Sequence, residues 1–449
     1  MTIDTPTEPD MSNSIKKKEE RALYSRTIAT STSRGLVQPF VSMIAITMGA
    51  SAGILGWIQS ISNLLSTFLG PIFGRLSDMA KRRIPFVVIS TLTWGIPYVI
   101  LYWIIDPWVI VLIVALVNLL ASLGIPAFTA LQNELFPGEV RAKLTGRIFW
   151  FDAIGSAVAT IITGIILTIV FNDKGFEIEQ RAEIYQRFIL IPIAIGVLIS
   201  IVGILPFRKI EEPLRNKSLG EQPITHSLKE SFKITFSNKP FAKFTLISMI
   251  HAIFFSFSWP LFSIFQVSIL EVNALQIAIL SISFSVMTIL VIRFGAKLSD
   301  RFGRTKLIAF NRLALALFPF AYIFASKIWH LYIIHFTLAG VIFIGSPSIQ
   351  AYLLDIVPPR EGGVYFGIHS MLVGIFMFLG SLAGGYLTEM FDKWYPLLTA
   401  VKITLGIAAG GRLLTGLLFL TLKEVKKFPS SWGEVKKHLQ KRFKLEPPV

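Results

Sequence analysis

The 449-residue chain contains no cysteine. That excludes disulfides, thiolate zinc sites, iron–sulfur clusters and cysteine nucleophiles in one step. Charge is scarce too. Asp, Glu, Lys and Arg make up 16% of the residues, where soluble domains carry about a quarter. Hydrophobic residues make up 53%, and mean hydropathy is +0.64. Such a composition argues against a water-soluble enzyme. The six histidines are scattered, and no nucleotide-binding loop interrupts the apolar runs. No enzyme, metal, cofactor or ATP-driven pump is therefore expected. The net charge of +16 could point to nucleic acid. The basic residues lie between long apolar runs, however, so membrane topology is the better account and no nucleic-acid partner is expected.

A helix needs about 20 mostly apolar residues to cross the hydrocarbon core of a bilayer. Twelve stretches qualify: 23–47, 51–73, 84–105, 107–135, 143–171, 185–206, 241–268, 272–296, 306–326, 328–356, 362–390 and 394–421. Some twenty polar residues precede the first, unlike a cleavable signal peptide. With the N-terminus inside and the spans alternating, 35 of the 43 Lys and Arg fall on one side. Five fall on the other, namely Lys174, Arg181, Arg187, Lys327 and Lys393, and Arg34, Lys402 and Arg412 lie within spans. The positive-inside rule then places both termini in the cytoplasm of a multi-pass cell-membrane protein. The expected organisation is a tail at 1–22, a six-helix bundle at 23–206, a linker at 207–240, a second bundle at 241–421 and a basic tail at 422–449. In that last tail Trp432, Val435, Leu439 and Phe443 recur at helical spacing among lysines, as in a segment lying on an anionic bilayer.

The two halves repeat. A shift of 221 brings Gly124, Pro126, Ala130, Glu134 and Pro137 onto Gly345, Pro347, Ala351, Asp355 and Pro358. It also brings Pro39 onto Pro260, Gly146 onto Gly367 and Gly164 onto Gly385. Leu76-Ser77-Asp78 recurs as Leu298-Ser299-Asp300, a shift of 222. The expected fold is an all-α membrane protein of 12 transmembrane helices, arranged as two six-helix pseudo-repeats around a central cavity. Repeats of this kind place a binding site near the midplane and support alternating access by rigid-body rocking.

The stretch from Gly74 through Asp78 to Arg82 and Arg83 resembles the loop signature G-x-L-x-D-R-x-G-R-R/K of the major facilitator superfamily, between helices two and three. Ala296 through Asp300, Gly303 and Arg304 resembles its second copy, between helices eight and nine. Lys81 replaces the usual glycine of the first copy, and Ala296 the leading glycine of the second. The resemblance covers about residues 20–425 and implies a secondary transporter. It also implies a cytoplasmic gate. Asp78 would face the N-terminus of helix eleven, where free N–H groups and the helix dipole favour a carboxylate, and Arg82 would pair with Glu134. By the repeat, Asp300 would face the start of helix five and Arg304 would pair with Asp355.

Ionisable residues at mid-span are costly and usually functional. Arg34 lies about a dozen residues into the first span, and Asp152 is about as deep in the fifth. An ion pair between them is expected, with Asp152 as candidate proton carrier and a static structural pair as the competing reading. Thr30, Arg34 and Gln38 form a stripe at intervals of four. Asn118, Ser122, Thr129 and Asn133 run along the fourth span. The seventh carries His251, Phe255, Trp259, Phe262 and Gln266, and the tenth ends with Ser346 and Gln350. In the resembled family helices one, four, seven and ten line the cavity, so Thr30, Arg34, Gln38, Asn118, Asn133, His251, Phe255, Trp259 and Gln350 are the expected substrate contacts.

The expected function is proton-coupled symport of a small organic anion or metabolite, by a monomer whose partners are solute, protons and the lipid bilayer. Drug efflux by proton antiport is the alternative. Its family members carry a glycine–proline signature in helix five, and Asp152-Ala153-Ile154-Gly155-Ser156-Ala157 has no proline. A membrane sensor without transport is the second alternative.

Overall fold

A computed structural model describes residues 8–104, 106–136, 138–171, 189–210, 228–358 and 361–424. Among these the chain is helical throughout, with no strand. We number the long helices α1 (Glu8–Val37, carried on by Gln38–Phe40 and Val41–Thr47), α2 (Ala52–Met79), α3 (Ile84–Tyr102), α4 (Pro107–Leu135), α5 (Gly138–Phe171) and α6 (Leu190–Ile204). After a short helix at Leu228–Ser237 come α7 (Lys239–Ile269), α8 (Ala274–Phe302), α9 (Arg304–Phe324), α10 (Ile328–Ile356), α11 (Gly362–Asp392) and α12 (Leu397–Thr421). The twelve expected spans each correspond to one of these helices. Among the described residues, nine are long and apolar enough on their own to cross a bilayer. The other three, α1, α2 and α8, carry the polar stripe and the two signature loops. Many large apolar side chains are exposed, Leu112 and Ile169 among them, as helices in contact with lipid require.

Local chemistry sets the helix ends. Asp106 caps α4, accepting from Trp108 N at 2.8 Å with Pro107 in the first turn. Asn238 caps α7, accepting from Phe241 N at 3.2 Å while donating to Ile356 O at 2.7 Å. α7 breaks at Ser258, next to Pro260, and ends in a π-helical turn at Phe265–Ile269.

By contacts the chain forms two units. The first is Met1–Thr225 with Trp259–Ile282 and Ser381–Val401, and the second is His226–Ser258, Ser283–Gly380 and Lys402–Val449. In the first, α1 is held between α5 and α6. Ser33 Oγ donates to Gly196 O at 2.7 Å and meets Ser200 Oγ at 2.8 Å on α6, and Thr160 Oγ1 donates to Gly35 O at 3.0 Å from α5. A Cβ on Gly35 would run into the Ser156 backbone, so only glycine permits this approach of α1 to α5. Leu23, Val87, Phe128, Leu131, Leu144 and Ile148 fill the core beside it. The second unit packs around Phe241, Phe244, Ile308, Tyr352, Tyr365 and Phe419.

Candidate substrate site and gating pairs

Ile28 marks the outer face of α1. It is exposed and lines an apolar crevice with Ser25, Ala29, Leu198 and Val202. At about 100° per residue, Arg34 lies about 120° and Thr30 about 160° around the helix from it. The polar stripe therefore points into the bundle. Arg34 Nη2 donates to Asp152 Oδ2 at 2.8 Å, and the two side chains keep 32% and 36% of their surface exposed. The expected pair is formed, and it borders open space. Thr30 is buried, with its hydroxyl unpartnered.

Arg26 continues the stripe one turn further back. Its guanidinium lies 4.1 Å from the Phe128 ring centroid, its Nε has no hydrogen-bond partner, and its charged neighbours are Asp152 and Arg34. The charge count places this arginine with the basic residues of the N-terminal side, among the 35 on the inner face. The spacing Arg26, Thr30, Arg34, Gln38 was the signal that could have found it.

The remaining expected contacts divide. Gln38 is exposed at the break in α1, and Asn133 and Gln350 are exposed on α4 and α10. Asn118 Nδ2 reaches Ser62 Oγ at 3.3 Å and Val114 O at 2.8 Å, stitching α4 to α2. Ser122 and Thr129 bond back to carbonyls of their own helix. His251 is buried against α12, its Nδ1 2.9 Å from Thr415 Oγ1 and its ring edge-on to Phe419. Its Nδ1 thus makes a helix–helix bond, while Nε2 has no hydrogen-bond partner. Phe255 lies under the Arg412 guanidinium at 5.3 Å, and Trp259 opens the segment of α7 that belongs to the first unit.

Arg412 had no role in the sequence. It is fully buried and donates to Phe254 O at 3.0 Å, Leu315 O at 2.9 Å, Phe255 O at 2.6 Å and the Ser258 hydroxyl. The break in α7 leaves carbonyls of its last turn without helical partners. The forked guanidinium supplies donors for them.

The pairs expected at the gate require one correction. Glu134 is paired by Arg83, not Arg82: Arg83 Nη2 lies 3.1 Å from Glu134 Oε1, while Nη1 donates to Ser77 Oγ at 2.6 Å. Arg83 is buried and Arg82 exposed. The reason is a turn one residue longer in the first copy. Five positions separate Asp78 from Arg83, and four separate Asp300 from Arg304. Arg304 pairs with Asp355 as expected and also donates to Ala351 O. Lys81 and Gly303 hold the same point of the two turns, with φ of 50° and 89°. The signature wants glycine there because the backbone is left-handed. Gly74 packs toward Pro126 of α4. The side chains of Asp78 and Asp300 lie outside the described residues.

Comparison with known proteins identifies the family and the fold. The sequence model of the Major Facilitator Superfamily matches residues 24–266 and 244–448. An uncharacterized MFS-type transporter of Methanocaldococcus jannaschii is 24% identical over 369 residues, 79% of this chain and 84% of that protein. The class H tetracycline resistance protein of Pasteurella multocida is 25% identical over 107 residues, only 24% of this chain and 26% of its own length. A solved nucleoside transporter superposes with a TM-score of 0.71 at 13% identity, covering 91% of this chain and all of the other. At that identity the likeness is one of fold.

Proposed function

Since the chain belongs to the Major Facilitator Superfamily, we propose that it is a secondary transporter that moves a small organic anion together with a proton by alternating access. The observation that carries this reading is the Arg34–Asp152 pair bordering open space beside Arg26 and the unpartnered Thr30 hydroxyl. Two guanidinium groups face one carboxylate, which leaves one positive charge for an anionic group to balance. That group engages Arg26 and Thr30 and competes with Asp152 for Arg34. Asp152, released from its partner, takes up the proton, and membrane-embedded carboxylates commonly serve such relays. Arg83–Glu134 and Arg304–Asp355 act as gating pairs near the ends of α4 and α10. The basic loops and both termini lie in the cytoplasm, and the protein works as a monomer in the cell membrane.

The test is proton movement across proteoliposomes holding the purified protein, with organic acids, sugars, amino acids and lipophilic cations added outside one at a time. An organic acid that makes the external medium alkaline supports symport. External acidification supports proton antiport. Tracer flux of the acid without proton movement refutes coupling and returns Arg34–Asp152 to a structural role.

A further inference from the structure

At the end of the helices opposite the signature loops, Glu389 of α11 sits on the first turn of α2. Its Oε2 accepts from Gly53 N at 3.2 Å and from Ser51 Oγ at 3.3 Å. One turn further along, Trp57 Nε1 donates to Tyr386 OH at 2.9 Å, and Ser381 Oγ then donates to Gly56 O at 3.4 Å. Gly385 makes the seam possible, because a Cβ there would strike the Ala52 backbone.

The same seam occurs a second time. The shift of 221 carries Glu389 back to Thr168 and Gly385 back to Gly164. Thr168 Oγ1 on α5 accepts from Leu275 N at 2.9 Å, in the first turn of α8. Gly164 lies against Leu275 and Ala274. Leu275 is in turn the repeat mate of Gly53, at a shift of 222. All of these residues belong to the first contact unit.

We infer that Glu389 and Thr168 are a matched pair of latches. Each holds the face opposite the basic loops closed by capping the helix that faces it, and Glu389 is the stronger. A helix N-terminus presents N–H groups with no partner of their own and favours negative charge. Glu389 offers a carboxylate to two donors, and Thr168 offers a neutral hydroxyl to one. The arrangement mirrors the one the signature implies at the opposite face. By that resemblance a carboxylate of α2, Asp78, would address the N-terminus of α11, whereas here a carboxylate of α11 addresses the N-terminus of α2. Opening this face to solvent requires both caps to let go, so the two latches set how often it opens.

The absence of cysteine makes the test direct. Spin labels at Met48→Cys and Lys393→Cys report the opening of this face by double electron–electron resonance on the full chain in nanodiscs. Glu389→Ala is expected to raise the open-to-closed ratio about fivefold, the scale of one charged cap with its hydrogen bonds. Glu389→Gln, which keeps an acceptor, should fall between Ala and the native residue. Thr168→Val should shift the ratio by about twofold, and Thr168→Glu should shift it toward the closed form. Unchanged distances in Glu389→Ala would overturn the inference. If that variant does not fold, unchanged distances in both Glu389→Gln and Ser51→Ala would overturn it instead. No solute is needed, so failure of proton coupling leaves this result standing, and the reverse holds equally.

Discussion

Asp152→Asn separates coupling from structure. Asparagine keeps the shape of the side chain and an acceptor for Arg34, but it cannot take up a proton. With one proton per solute, a gradient of one pH unit supports about tenfold accumulation, worth about 1.4 kcal/mol. The variant is expected to bring the internal-to-external ratio down to about one. Exchange of labelled for unlabelled solute should persist, because exchange needs no net proton movement. The structural cost should be small. Both partners are about a third exposed, so solvent screening limits the pair to about 1 kcal/mol or less, and Arg34 keeps its access to the open space. Tracer accumulation in proteoliposomes reads the first effect, using a solute identified by the proton assay. Thermal unfolding of the purified protein reads the second. Tenfold accumulation by Asp152→Asn would remove Asp152 from the coupling mechanism, and a variant that could not fold would make the pair structural.

Other substitutions address the remaining parts. Arg26→Gln should weaken apparent solute affinity by about tenfold to a hundredfold, the loss of a charged hydrogen bond, with proton stoichiometry unchanged; an unaltered affinity would exclude Arg26 from the site. Arg83→Ala strands a carboxylate that is 17% exposed and should cost about 3 kcal/mol, whereas Arg82→Ala should stay within about 0.5 kcal/mol. Denaturation midpoints of the two variants check the order, and the reverse order would refute the corrected pairing. Arg412→Lys should destabilise the second unit by about 3 kcal/mol, since one ammonium cannot replace the fork that serves three carbonyls and a hydroxyl; a melting temperature equal to that of the native protein would sink that account.

The spans and the Arg34–Asp152 pair were legible in the sequence because both rest on solvation. Apolar runs of membrane length have few other uses, and two opposite charges at matching depth in one half almost dictate a pair. Orientation was much less legible. The seventh span is apolar all round, so nothing in its pattern tells whether His251 faces a cavity or α12. Arg412 could not be read at all, because its partners are carbonyls released by a break in a different helix. The choice between Arg82 and Arg83 turned on backbone conformation. From Gly53 to Asp78 the repeat offset is 222, and from Arg83 onward it is 221. The extra residue lies in the turn where Lys81 takes a φ of 50°. Alignment on the signature carries its register past that insertion and selects the wrong arginine. Counting back from Arg304 and Asp355 instead gives Arg83 and Glu134, and the same count from Glu389 gives Thr168. Repeat mates thus locate paired residues where a motif does not, because each half must solve the same packing problem and a turn can absorb one residue without moving the helices it joins.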